Sequence, residues 1–266
     1  MIYPTDTVKC TGCRCCAQTC PCRAISVIDD EEGFPAPKID EGLCTNCGLC
    51  KERCPENNNP AVNAPVKVFG ARYKLDDKKL YESASGGVFL ALAEKFLVEG
   101  KALVFGAALD KNNVCRHIGI RDIAGITPLQ SSKYVQSDTL DTFDETKQAL
   151  DHGLKVLYSG TPCQIAGLHA YFGKDYDNLY TVDVICHGVP SPALFEKYIQ
   201  MLEEQEEDGK IIYFNFRSKY RTGWNVRGYM TKTKYIPLYR NAHLISFLRK
   251  NLYMHNGAIF LLKISI

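Results

Sequence analysis

Eight cysteines stand in two copies of one spacing. Cys10, Cys13, Cys16 and Cys20 read C-x2-C-x2-C-x3-C and are followed by Pro21; Cys44, Cys47, Cys50 and Cys54 repeat the run and are followed by Pro55. Three thiolates from one tight loop and a fourth from the other repeat can surround a cube of iron and sulfide, and this three-plus-one run suits two such clusters. The spacing assigns Cys10, Cys13, Cys16 and Cys54 to one [4Fe–4S] cluster, and Cys44, Cys47, Cys50 and Cys20 to the other. It also selects Cys16 over Cys15. Structural zinc is the competing use of clustered thiols, but zinc sites take cysteines as separated C-x2-C pairs. Cys15 and Cys22 are left over and read as packing thiols, since free cysteine is among the most buried residue types.

Ten of the thirteen cysteines precede residue 55. A disulfide framework needs an oxidising compartment, and the N-terminal "MIYPTDTVKC" has no apolar signal segment. Metal chemistry in a cytoplasmic protein is therefore expected. The 266 residues are 45% hydrophobic and 23% charged, with 32 basic and 30 acidic side chains. That balance offers nothing to nucleic acid or an anionic membrane. No run of about 20 apolar residues occurs, so no transmembrane segment is expected.

The elements that must position these thiols fall into two parts. Residues 1–58 form the cysteine-rich head, a bacterial-type 2x[4Fe–4S] ferredoxin domain. Residues 59–67 are read as a linker, following from the Pro- and Asn-rich stretch "PENNNPAVNAP". Residues 68–266 alternate strands and helices, as an α/β domain does. "VKVFGARYK", "KALVFGAALD", "VCRHIGI", "LKVLYSG", "LYTVDVIC" and "KIIYFNFRS" read as strands. "GGVFLALAEKFLVEG" reads as a helix with Val88, Phe89, Leu92 and Phe96 inward and Gly100 as its stop. "DTFDETKQALDHG" is a second helix, capped by Asp141 or Thr142. "SPALFEKYIQMLEEQEEDG" is a third, with Ser191 at the N-cap and Pro192 at N1.

Three segments of this domain read as ligand loops. In "SASGGVF", Ser85, Gly86 and Gly87 lead into a helix, where backbone amides can approach an anion; a plain helix cap explains the same residues. In "VLYSGTPCQIAGL", Thr161 caps a helix and Cys163 and Gln164 occupy its first turn, at the carboxyl end of a strand where α/β sheets bind ligands. The helix dipole there favours a Cys163 thiolate; a buried small residue is the alternative. In "DVICHGVPSP", a strand ends at Cys186 beside His187. Neighbours on extended chain point opposite ways, so this pair does not read as nucleophile and base. Cys115 reads as a strand core residue.

The dicluster head followed by "SASGGVF", "SKYVQSD", "GTPCQIAGL" and "DVICHGVPSP" resembles the coenzyme F420-reducing hydrogenase/dehydrogenase beta-subunit family, from about Cys10 to Tyr253. The resemblance implies an α+β fold class: a small dicluster ferredoxin-like domain followed by an α/β flavin-binding domain. It implies an FAD-dependent iron–sulfur oxidoreductase that exchanges electrons with a small hydride carrier, coenzyme F420 in archaeal members, and with a redox partner such as a ferredoxin or another oxidoreductase subunit. Many bacterial members look like parts of surface-polysaccharide pathways. Chemistry supports the flavin separately, because clusters carry single electrons while deazaflavin and nicotinamide carriers accept hydride, and a flavin handles both. By resemblance FAD lies against Ser85, Gly86 and Gly87, against Lys133, Tyr134, Gln136 and Ser137, and against Thr161 and Gln164, with Lys133 at the pyrophosphate. A strand with an exposed basic residue is the plainer reading of "SKYVQSD". No catalytic residue is assigned.

Family members usually continue past "LRKNLYM" into a Cys-x-x-Cys segment, whereas this chain reads "LRKNLYMHNGAIFLLKISI", as a truncated product would. Cys163 and Cys186 then read as half of an incomplete third cluster site. "AIFLLKISI" is apolar and strand-prone, an aggregation segment if exposed. Two further function classes compete with the enzyme: a non-catalytic electron-transfer module wiring partner enzymes, and a zinc-stabilised scaffold.

Overall fold

The computed structural model describes residues 9–58, 67–74, 76–186, 188–204, 209–218, 225–230, 235–237 and 264–265. In the head, β1 (Ile25–Asp29) and β2 (Pro35–Ile39) pair as an antiparallel hairpin. Asp30 closes it by accepting from the amides of Glu32 and Phe34, and Gly33 takes the left-handed conformation at the turn. Each cysteine run contains a short helix, α1 (Cys15–Thr19) in the first and α2 (Leu49–Glu52) in the second.

After α3 (Asp77–Glu82) and α4 (Val88–Val98), the second part builds a sheet from β3 (Ala102–Leu109), β4 (Cys115–Ile120), β5 (Lys155–Gly160) and β6 (Leu179–Asp183). β3, β5 and β6 run parallel, and β4 pairs antiparallel on the outer edge of β3. β3 is buried on both faces, which is why its sequence is a continuous apolar run rather than an alternation. Leu103, Phe105, Val156 and Tyr158 face α5 (Thr142–Asp151) and α6 (Pro162–Phe172), where Phe143, Leu150, Ile165 and Leu168 meet them. Val104, Ala108, Leu157 and Val182 face the other way, with Leu90 and Ala93 of α4. A third apolar group joins α7 (Pro192–Glu204) to β7 (Ile211–Ser218) through Phe195, Ile199, Phe214 and Phe216. β7 continues into an antiparallel sheet with β8 (Asn225–Met230) and β9 (Tyr235–Pro237).

Several sequence expectations change here. "VKVFGARYK" is not a strand over its described residues 67–74, and Val68 and Phe69 are 83% and 79% exposed. No strand among the described residues pairs with it, and only Tyr73 tucks in, its amide donating to Gly86 O at 2.6 Å. "SKYVQSD" is not a strand either; a single bridge joins Asp138 to Arg116. The inward face of α4 is centred on Leu90 and Ala93, while Val88 is 37% exposed. The apolar tail lies mostly outside the described residues, but β10 (Ile264–Ser265) pairs antiparallel with β6, so this part of the tail serves the sheet edge.

The head packs on the α5–α6 face. Cys13 and Cys15 belong to the same apolar cluster as Phe143 and Leu168, and α1 rests on α5 and α6.

Candidate functional site

Two cavities of similar size open in the head, about 420 and 370 Å³ with their mouths. The first is walled by Cys10, Cys13, Cys16 and Cys54, together with Gly12, Val27 and Pro35 to Pro37. The second is walled by Cys20, Cys44, Cys47 and Cys50, with Ile25, Ile39 and Gly48. Each cavity thus gathers the first three run cysteines of one repeat and the last run cysteine of the other, with one further cysteine on the wall, Cys15 at the first and Cys22 at the second. A four-thiol donor set with apolar walls suits an iron–sulfur cube. Gly12 cannot carry a side chain: φ is +66°, and a Cβ would stand 2.6 Å from both Gln136 Nε2 and Pro35 Cγ. Burial pushes the Cys10, Cys13, Cys16 and Cys54 thiols up, Cys16 to about 12. A bound metal centre would reverse that preference, since thiolates are the ligating form.

The two leftover cysteines part ways. Cys15 is 0% exposed, and its thiol donates to Arg53 O at 3.3 Å, so it is the packing thiol the sequence suggested. Cys22 is not buried in a core. It is half-exposed on the wall of the second cavity, with Sγ 3.7 Å from Cys20 Sγ.

Polar bonds from the first cysteine loop and from α1 tie the first cavity to the α/β domain. Thr11 O accepts from Gln136 Nε2 at 2.9 Å, and Cys13 O accepts from Thr139 Oγ1 at 3.2 Å. Arg14 Nη2 meets Asp138 Oδ2 at 2.6 Å, and Gln18 Oε1 accepts from the Phe143 amide at 2.9 Å. Cys13 lies directly on α6, where a Cβ at Gly167 would stand 3.0 Å from its Sγ. On the wall of the second cavity Cys47 is exposed.

α6 begins at the carboxyl end of β5 with a capping box: Thr161 receives the N3 amide, and the Thr161 amide donates to Gln164 Oε1 at 3.0 Å. Cys163 is in the first turn, 3.1 Å from Thr161 Oγ1. The dipole does not win there. Burial raises this thiol most, the Thr161 hydroxyl lowers it, and Cys186 raises it again, for a net rise above the ordinary value. The desolvation of a thiolate exceeds what one helix turn returns. Cys163 and Cys186 are thus within electrostatic reach of each other, and Cys13 within reach of Cys163. His187 lies outside the described residues. Cys163 and Gly167 share a face of α6, being four residues apart, so that helix face leads from Cys13 to the carboxyl edge of the sheet.

Four residues expected at FAD are brought together, through bonds to one another and to neighbours. Gln164 Nε2 donates to Ser137 O and Oγ, each at 3.0 Å. Ser137 Oγ meets His117 Nδ1 at 2.9 Å, and His117 Nε2 meets Ser159 O at 3.0 Å. Gln136 reaches the head, and Thr161 caps α6. His117 stacks on Tyr158 and is held near a pKa of about 4 by burial. Lys133 is neither exposed nor aimed outward. Its ammonium donates to Pro128 O and Gln130 O at 2.7 Å and to Ser131 O at 3.3 Å, and burial pulls it down to about 8. Tyr134 lies edge-on to Phe216, with its hydroxyl accepting from Arg217. Ser85 is exposed, and Gly86 and Gly87 pack instead against residues 71–73, where a Cβ at Gly86 would stand 2.6 Å from Ala71 O. Gly87 (φ +73°) opens α4 without a side-chain cap, so of the expected FAD set this helix end best suits an anion.

Sequence reasoning missed His117, Thr139, Gln18 and Gly167. Only Gly167 left a signal, since glycine inside a helix costs about 1 kcal/mol against alanine and so points to a packing reason. Among the described residues no helix is long and apolar enough to cross a membrane.

Comparison with known proteins matches these two parts. Residues 9–58 fit the 4Fe–4S dicluster domain, and residues 153–247 fit the C terminus of the coenzyme F420 hydrogenase/dehydrogenase beta subunit. The chain is 29% identical over 194 residues to coenzyme F420-dependent sulfite reductase of Methanocaldococcus jannaschii, covering 70% of this chain and 28% of that protein. It is 31% identical over 99 residues to dihydromethanopterin reductase (acceptor) of Methanosarcina mazei, covering 36% and 39%. It thus spans well under half the length of either relative. Among solved structures, a chain of the F420-reducing [NiFe] hydrogenase complex from Methanosarcina barkeri aligns with TM-score 0.41 and 16% identity, over 63% of this chain and 59% of that one. The dicluster head and the matching second domain thus make the chain similar, over residues 9–58 and 153–247, to the 4Fe–4S dicluster domain and to the C terminus of the coenzyme F420 hydrogenase/dehydrogenase beta subunit.

Proposed function

We propose that the chain is an iron–sulfur oxidoreductase. Its head holds one [4Fe–4S] cluster on Cys10, Cys13, Cys16 and Cys54 and another on Cys20, Cys44, Cys47 and Cys50, and its α/β domain exchanges electrons with a hydride carrier such as coenzyme F420 through FAD. The observation that carries the reading is that two cavities each gather the four run cysteines of one crossed set, with Cys15 a fifth at the first and Cys22 a fifth at the second. When bound, the clusters supply one-electron transfer and FAD its exchange with hydride chemistry. The F420 dependence named for the sulfite reductase relative supports the carrier.

The chain's own residues supply the positioning. Gln136, Thr139 and Asp138 hold the first cysteine loop on the domain, which makes the first site the inner relay. The second site is the outer one, open at Cys47 to a ferredoxin or another oxidoreductase subunit. Cys163 and Cys186 act as half of a further thiolate set. In the flavin site, the α4 N-terminus after Ser85, Gly86 and Gly87 takes the pyrophosphate. The loops of Lys133, Tyr134, Gln136, Ser137, Thr161 and Gln164 form the wall, with their side chains engaged in internal bonds that keep it rigid.

Anaerobically purified chain is expected to carry about eight irons and eight sulfides, and to release flavin on denaturation. Colourless protein that binds only zinc would overturn the reading. Clusters without flavin would reduce the chain to an electron-transfer module.

A further inference from the structure

We propose that Cys22 is a reserve ligand at the second cluster site, able to take the iron that Cys20 otherwise holds. The inference rests on the reading that this cavity binds a cluster. Five cysteines, not four, line its wall: Cys20, Cys22, Cys44, Cys47 and Cys50. The chain makes a tight turn through Pro21 and Cys22, closed by the Arg23 amide on Cys20 O at 3.1 Å, with Arg23 at φ +50°. That turn folds Cys22 back beside Cys20, to an Sγ–Sγ separation of 3.7 Å. A thiolate binds a first-row metal at about 2.3 Å, so two sulfurs within about 4.6 Å of each other can each reach one metal position. Each iron of a cube takes a single protein thiolate in the four-cysteine sets of such clusters, so the two sulfurs alternate rather than bind together.

The first cavity has no equivalent. Cys15 also touches its wall, but its thiol is tied to Arg53 O and locked in the core with Phe143 and Leu168. The two sites therefore differ in their tolerance of losing the cysteine each borrows from the other repeat. The outer cluster, open to solvent, keeps a spare donor, and the inner one does not.

The test is iron and acid-labile sulfide per chain, with the reduced-state paramagnetic signals, in Cys20→Ala, Cys22→Ala, the double variant and Cys54→Ala. Wild type, Cys20→Ala and Cys22→Ala are each expected to retain about eight irons, whereas the double variant and Cys54→Ala fall to about four. Wild type with eight irons and Cys20→Ala with four would overturn the reserve ligand alone. Wild type with fewer than eight would overturn the two-cluster reading beneath it. Should Cys20→Ala fail to fold, the decision passes to Cys22→Ala, which leaves Cys20 in place. A ferrous chelator is expected to strip half of its iron at least three-fold faster than from wild type; equal rates would refute the proposal.

Discussion

Gly167 lies in the second turn of α6, and Cys13 occupies the space its side chain would take. A Cβ at this position would stand 3.0 Å from Cys13 Sγ, 3.1 Å from Cys13 Cβ and 3.4 Å from Phe143 Cε2. Gly167→Ala would gain about 1 kcal/mol of helix propensity and meet an overpacking cost of about 1–3 kcal/mol, a net loss of about 0–2 kcal/mol. Gly167→Val gains only a few tenths from propensity, roughly 0.4 kcal/mol. It drives two more methyl groups into Cys13 and Phe143, which places it at about 3 kcal/mol of net destabilisation. Cys13 carries most of that displacement, because Phe143 and Leu168 are fully buried and have nowhere to move. The effect should therefore be local. Iron and sulfide assay of Gly167→Val is expected to fall from about eight to about four per chain, with the outer cluster intact and Gly167→Ala in between or unchanged. A Gly167→Val protein that keeps all its iron, or loses both clusters together, would show that Cys13 does not depend on α6.

Other perturbations test the surrounding framework. His117 is buried with a depressed pKa of about 4 against an ordinary 6.5, so its contribution is complete above pH 6.5 and is lost as pH falls toward 4. Wild type should lose up to about 1.4 kcal/mol per pH unit more than His117→Gln across that window, about 3 kcal/mol in all; parallel unfolding curves would contradict the assignment. Cys15→Ala should lower stability by roughly 1–2 kcal/mol through lost packing and leave iron content unchanged; loss of iron would show that Cys15, not Cys16, holds the register. Cys163→Ala and Cys186→Ala should each leave iron at about eight per chain, whereas a wild-type count of about twelve would mean that the third thiolate set is complete.

Much of the site was legible along the chain because cluster ligation is local chemistry. Three thiols from one loop must recur at short fixed intervals, and the cysteines of each crossed set line one cavity, together with Cys15 at the first and Cys22 at the second. Capping is local too, and Thr161, Pro162 and Gln164 announced the start of α6. Burial and pairing are not local. "VKVFGARYK" has the composition of a strand, but a strand exists only with a partner, and none of the described strands meets residues 67–74. Lys133 reads as a surface cation until three carbonyls of its own loop close on it. Cys15 and Cys22 are equivalent leftovers by spacing, yet one faces Phe143 and the other faces Cys20. Spacing alone could name candidate thiol sets but not say which lies against the α/β domain. Which cysteine loop lies against the α/β domain was decided by packing between residues more than a hundred positions apart, where Gly167 leaves room for Cys13 and Gln136, Asp138 and Thr139 hold the loop that carries it.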